Sequence, residues 1–133
     1  MPKKIQHNVY LGASKIEGAG RGVFAARDIK EDELIETCQM IVMDRKSVPH
    51  LDKTELGNYY FEWGDDYEGG AIALGFGSLY NHSFKPNAYF DQDFSAHVIR
   101  VFALTDIKKG NEITFNYNGD SEDQTPLWIE GIK

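Results

Sequence analysis

The sequence has a single cysteine, Cys38, among 133 residues, so no intrachain disulfide can form. Cys38 and four scattered histidines (His7, His50, His82, His97) offer no zinc-ligand spacing, and no metal is expected. One unpaired thiol fits a reducing compartment. Long apolar runs are also missing. The stretch Ala71 to Gly77, even with the two glycines before it, is far short of the roughly 20 residues of a membrane span. The opening Met1-Pro2-Lys3-Lys4 leads into no apolar stretch, so no secretory signal is read there. Positive charge is scarce: 14 Lys and Arg against 21 Asp and Glu, a net of −7. That argues against a nucleic-acid backbone binder, which needs a basic face. It suits a basic partner such as a Lys/Arg-rich peptide. The expectation is a soluble intracellular protein that touches neither membrane nor nucleic acid directly.

Helix signals are sparse too. Asp52 to Asn58 could form one or two turns, capped by Asp52 with Glu55 three residues later. What is present is aromatic and turn-forming: 13% Phe, Tyr and Trp, and 13 glycines. That profile reads as mostly β, with many tight turns. The strand candidates are Gly22–Ala26, Leu34–Met43, Tyr59–Trp63, Ala71–Ala73, Ala88–Phe90, His97–Ala103 and Ile113–Tyr117. In the last, Ile113, Phe115 and Tyr117 alternate with Thr114, Asn116 and Asn118, predicting one apolar face. Asp65 to Gly70 reads as a hairpin loop. At about 100–200 residues per domain, the chain is one domain over 1–133, with a core at about 9–120 and a short tail at 121–133.

An internal echo stands out. Val23-Phe24-Ala25-Ala26-Arg27-Asp28-Ile29-Lys30 returns as Val101-Phe102-Ala103-Leu104-Thr105-Asp106-Ile107-Lys108, at an offset of 78. Seven of the thirteen paired positions from 23 to 35 are identical. Two copies are too few for a solenoid. They predict one strand–turn–strand unit used twice.

Three segments could carry chemistry. In Ser14 to Phe24, glycines at 18, 20 and 22 let backbone groups approach a ligand closely, or form a plain hairpin. It is no dinucleotide fingerprint, because a strand rather than a helix follows. In Asn81-His82-Ser83-Phe84-Lys85-Pro86-Asn87, neighbouring Asn and His point to opposite sides of an extended chain. They cannot act as a dyad, but can present an amide and backbone groups to a polar ligand, or simply brace a loop. In Glu112 to Asp120, Phe115 and Tyr117 share a strand face. Two such rings are ordinary core packing, except that a buried Tyr hydroxyl wants a partner.

In this order, Gly-x-Gly, Asn-His-Ser-x-x-Pro-Asn and Glu-Ile-Thr-Phe-x-Tyr resemble the SET-domain protein lysine methyltransferases. The resemblance covers roughly Val9 to Asp120. In size, and in Ala73-Leu74-Gly75-Phe76-Gly77, it resembles the minimal single-domain SET proteins of viruses and some bacteria. It implies a mostly β, β-clip-like fold of several small sheets with a knot-like crossing near the C-terminus. It implies S-adenosylmethionine as cofactor, with Gly18, Ala19, Gly20 and Arg21 around its methionine part. Asn81 and His82 would take its amino end and adenine. Tyr117 would be catalytic, in a substrate channel walled by Tyr59 and Phe115, with Tyr60 an equal candidate to Tyr59. The substrate would be a lysine of a basic protein, first of all a histone tail, in nucleus, chromatin or cytoplasm. Many relatives close the channel with a zinc-binding cysteine cluster; residues 119–133 hold no cysteine, but do hold Trp128. Trp128 either stacks on cofactor or channel, or packs the tail or a dimer contact. In the family, Phe two residues before the active-site Tyr accompanies di- and trimethylation, which Phe115 implies here. A homodimer is possible for so small a domain. The competing expectation is a SET-like module that binds peptide without catalysis.

Overall fold

The computed structural model describes residues 7–127. Among these residues nine strands form two sheets. The first has the order β1(Val9–Ala13)-β2(Arg21–Ala25)-β9(Glu112–Phe115)-β6(Asn81–His82). The second has the order β4(Phe61–Trp63)-β5(Gly69–Ala73)-β3(Leu34–Met43)-β8(Val98–Ala103)-β7(Ala88–Asp93). All pairings between these strands are antiparallel except β6 with β9, where Asn81 and His82 lie beside Thr114 and Phe115. The core collects the inward residues of both sheets, among them Val23, Ile35, Ile99, Val101, Ile113 and Phe115. The fold is the mostly β one expected, with every predicted strand present to within a few residues.

Four expectations need correction. Strands β1 and β6 were not predicted. β1 is short and half-exposed, without clean alternation, and β6 is two residues whose partner is distant in sequence. Asp52 caps nothing: helix α1(Val48–Asp52) ends there, and its carboxylate accepts from the Tyr60 hydroxyl at 2.9 Å. The following 3₁₀ turn, Glu55–Asn58, is capped by Thr54, whose side chain accepts from the Leu56 N–H at 3.2 Å. Finally, β9 stops at Phe115. Thr114 and Asn116 are buried like their apolar neighbours: Asp123 and Thr125 fold back onto Asn116 and Asn118, and the Asn87 side chain meets the Thr114 N–H. The Asn116 amide donates to the Asp123 carbonyl at 2.6 Å, and Gln124 reaches the Phe84 carbonyl at 3.2 Å. The chain after β9 thus crosses the segment that follows β6.

The echo is a paired duplication. Ile29 and Ile107 exchange backbone hydrogen bonds at 2.8 and 2.7 Å. The Asp32 N–H donates to Ala103 and the Gly110 N–H to Ala25, each at 2.8 Å. The Glu31 N–H meets the Asp106 carboxylate and the Lys109 N–H meets that of Asp28, again each at 2.8 Å. Moving one residue up and its mate down by the repeat offset converts each bond into its counterpart. A local two-fold axis therefore runs between Ile29 and Ile107. Even the backbone strain repeats: Asp32 and its counterpart Gly110 have φ of +65° and +88°, where glycine is free and Asp is tolerated.

Ile29 and Ile107 are 1% and 2% exposed. Each truncated alone to Ala is expected to cost about 2–5 kcal/mol, the range for a buried branched side chain. The two costs should agree within roughly 1 kcal/mol, since their surroundings are related by the axis. Urea unfolding measures both, and a cost near zero for either would show that the paired turns do not pin the sheets together.

Candidate functional site

β6 is extended, so its two side chains diverge. Asn81 Nδ2 donates to the Arg21 carbonyl at 3.0 Å and to Glu112 Oε2 at 2.7 Å. The other carboxylate oxygen of Glu112 accepts from the Ser14 hydroxyl at 2.7 Å. These bonds tie the β1–β2 loop to the centre of the first sheet. In the loop, Gly18 and Gly20 sit at φ of +78° and +73°, and Ser14 N–H closes it onto the Gly20 carbonyl at 2.9 Å.

His82 points the other way. Its Nδ1 accepts the Tyr117 N–H at 3.0 Å. An accepting Nδ1 carries no proton, so in the neutral ring the proton is on Nε2. Burial lowers the His82 pKa, which keeps the ring neutral. Nε2 is buried and has no hydrogen-bond partner among the described residues. The ring is packed edge-on against Phe84, with centroids 4.3 Å apart, and contributes to the core rather than to an open surface.

Tyr117 lies in the turn after β9, yet its ring remains 5.9 Å from that of Phe115. Its hydroxyl donates to the Tyr80 carbonyl at 2.5 Å. Burial, foremost, pushes the Tyr117 phenol well above its ordinary pKa, so it keeps its proton at neutral pH. Tyr80 is itself fixed, its hydroxyl donating to Glu36 at 2.7 Å.

A cavity of about 410 Å³ opens beside Tyr117. Its aromatic wall includes Tyr59, Phe61, Tyr80, Phe90, Phe115 and Tyr117, and Thr125 to Leu127 close one side. Tyr59 is 40% exposed, which places it at the rim. Tyr60 also lines the cavity, with its hydroxyl held by Asp52.

The residues singled out in sequence therefore fall into two linked groups. Arg21, Asn81, His82 and Tyr117 are joined through hydrogen bonds and the β6–β9 pairing. Tyr59, Phe115 and Tyr117 share the cavity. Gly18, Ala19 and Gly20 do not line it and belong to the Arg21 side. Trp128 lies outside the described residues. Sequence reasoning missed Ser14, Tyr80 and Glu112. Glu112 opens the same motif as Tyr117, and Tyr80 directly precedes Asn81, so adjacency to the motifs was the available signal.

A SET-domain family model matches residues 20–118. The chain belongs to the SET-domain family. This SET domain is 33% identical over 115 residues to a Schizosaccharomyces pombe histone-lysine N-methyltransferase, H3 lysine-37 specific, covering 86% of this chain and 73% of that protein. It is 31% identical over 134 residues to the Drosophila melanogaster histone-lysine N-methyltransferase trr, covering 94% of this chain but 5% of that protein. A solved Plasmodium falciparum chain described as a histone methyltransferase superimposes with a TM-score of 0.69 at 33% identity, over 85% of this chain and 95% of that one. A chain of Chaetomium thermophilum Polycomb Repressive Complex 2, autoinhibited and bound to S-adenosylmethionine, gives 0.70 at 25% identity over 85% of this chain and 15% of that one.

The neutral His82 has a consequence for stability. Its pKa is depressed in the folded SET domain, so below the ordinary histidine value of about 6.5 the unfolded chain binds a proton that the buried ring refuses. Unfolding free energy is expected to fall with pH in that range. His82→Asn, whose Oδ1 stands where Nδ1 accepts the Tyr117 N–H and which does not titrate, should flatten the slope between pH 7.5 and 5.5 in urea melts. An unchanged slope would assign the acid sensitivity to other groups.

Proposed function

We propose that this SET domain is an S-adenosylmethionine-dependent protein lysine methyltransferase acting on a lysine of a basic protein, first of all a histone tail. The observation that carries the reading is that the Asn81-His82 pair meets Tyr117 through the His82–Tyr117 hydrogen bond while Tyr117 lines an aromatic cavity. The relatives named as histone-lysine N-methyltransferases support the activity and the substrate class. The residues fit the cofactor: a loop rich in positive-φ glycine and an Asn81 amide whose nitrogen is fixed by two acceptors while its oxygen takes no bond among the described residues. Arg21, Asn81 and His82 would hold it, with Gly18 to Gly20 beside its methionine part.

S-adenosylmethionine supplies an electrophilic methyl on a sulfonium. The protein's task is to hold the lysine nitrogen in line with it, and positioning alone can supply most of such a rate enhancement. The wall of Tyr59, Phe61 and Phe115 suits the aliphatic stem and, through the ring faces, a methylated ammonium. Burial of the amine lowers its pKa, so it enters neutral. Tyr117 is no phenolate base, because its proton stays engaged with the Tyr80 carbonyl. The lone pairs of the same oxygen remain to accept an N–H of the amine and orient it. With a net charge of −7, a basic peptide is the favoured partner, and direct nucleic-acid contact is not part of the proposal. The place of action is the nucleus, at chromatin, or the cytoplasm. A homodimer would cover the exposed Tyr10 and Leu11 of the edge strand β1, and sedimentation equilibrium tests it.

Incubation with labelled S-adenosylmethionine and a panel of basic proteins, followed by mass spectrometry, tests the activity. No label on any lysine would leave a peptide-binding module as the better reading. In Tyr117→Phe, turnover is expected to fall at least roughly tenfold, about 1.4 kcal/mol, with cofactor affinity little changed. Wild-type turnover there would reduce Tyr117 to a packing residue.

Phe115 concerns product multiplicity. It is 1% exposed and packed by Phe90 and Tyr80 at ring distances of 4.9 and 5.1 Å. It offers no polar anchor for a water beside the amine, so di- or trimethyl-lysine is the expected product. Phe115→Tyr would place a hydroxyl that needs a partner, and a water bound there would occupy a methyl's volume. The product should shift toward monomethyl-lysine while the first transfer stays within about tenfold, since an ordered water alters roughly 0–2 kcal/mol. Mass spectrometry at long incubation decides, and a mutant that trimethylates as readily would remove Phe115 from this role.

A further inference from the structure

We infer that Glu112 is a positioning residue for the cofactor. It turns Asn81 so that only a hydrogen-bond acceptor faces the ligand, and it supplies negative charge to a cationic ligand group. The inference rests on the S-adenosylmethionine reading above.

The orientation of Asn81 follows from what surrounds it. Both neighbours of its Nδ2, the Arg21 carbonyl and Glu112 Oε2, are acceptors. The amide nitrogen must face them, and its two hydrogens are then used. Among the described residues no donor reaches Oδ1. Asn81 therefore offers an outside ligand an acceptor and nothing else. An ammonium, rich in donors, satisfies it, whereas a carboxylate would be repelled by the oxygen and find no N–H.

The charge of Glu112 points the same way. Its two oxygens take bonds from Ser14 and Asn81, both neutral. The ion pairs among the described residues are Arg27–Glu33, Arg45–Glu68 and Arg100–Asp93, and none includes Glu112. A half-buried carboxylate with only neutral partners lacks a counter-charge, and a bound cation provides one. The amino-acid end of S-adenosylmethionine carries such a cation. The packing is committed to this contact. A Cβ on Gly22 would stand 2.3 Å from Glu112 Oε2 and 2.9 Å from Asn81 Nδ2, so a side chain there would break the bond that sets the amide.

The test compares two probes by calorimetry and competition: S-adenosylmethionine, and 5′-methylthioadenosine, which lacks the amino-acid end. Glu112→Ala is expected to weaken S-adenosylmethionine roughly tenfold or more, as loss of a charged hydrogen-bonding partner does. The same substitution should change 5′-methylthioadenosine by less than about twofold, because that probe makes no use of the ammonium contact. Glu112→Gln keeps an acceptor for Asn81 but loses the charge, and should fall between; being isosteric, it carries the test if Glu112→Ala does not fold. Equal weakening of both probes would make Glu112 merely structural, and unchanged S-adenosylmethionine affinity would overturn the inference outright. A wild-type protein that binds neither probe would defeat the cofactor reading itself, a result distinct from the other two.

Discussion

The site depends on two residues of parallel pairing. Asn81 and His82 lie beside Thr114 and Phe115, and among the described residues no other strand borders β6. That short ladder sends one side chain toward the β1–β2 loop and the other toward Tyr117. Take it away and the glycine-rich loop, the Asn-His pair and the aromatic cavity lose their common frame. The ladder is stable at such a length because it is overdetermined. The Asn87 amide bonds the Glu112 carbonyl and Thr114 N–H on the far side of β9. Ser83 N–H reaches the Phe115 carbonyl, and residues 120–125 cover Asn116.

The duplicated strand–turn–strand unit sets the scaffold behind this. Its two copies clasp each other through Ile29 and Ile107, and each contributes a strand to each sheet: β2 and β9 to the first, β3 and β8 to the second. Rigidity comes from that clasp, and the chemistry-bearing residues are placed where the repeat ends. β9 belongs to the duplication through Ile113 and to the site through Glu112 and Phe115.

Much of this was legible because the decisive signals are local. Local composition marked β3 and β8 as strands, and the motifs holding Asn81-His82 and Phe115 with Tyr117 pointed to the candidate site. What escaped was set by contacts far apart in sequence. β6 has no strand-like composition, since its pairing partner supplies the structure. The apolar–polar alternation of β9 misled, because a tail folded over the polar side removes solvent from it. Asp52 looked like a cap until the preceding helix claimed it. Glu112 read as an ordinary charged residue at a strand start. Its role comes from Ser14 and Asn81, 98 and 31 residues away, which no window of sequence shows.

The parallel pairing also fixes an order of events. During synthesis, Asn81 and His82 emerge 33 residues before Thr114 and Phe115, their partners. Antiparallel hairpins such as β4–β5 can close as soon as they appear, but β6, like β2, must wait for β9. Until then His82 has no Tyr117 to bond and Asn81 no Glu112. A nascent or truncated chain lacking residues beyond about 112 would contain the glycine loop and the Asn-His pair in full and still have nothing assembled. The residues that would meet a ligand therefore come together only once β9 has been made.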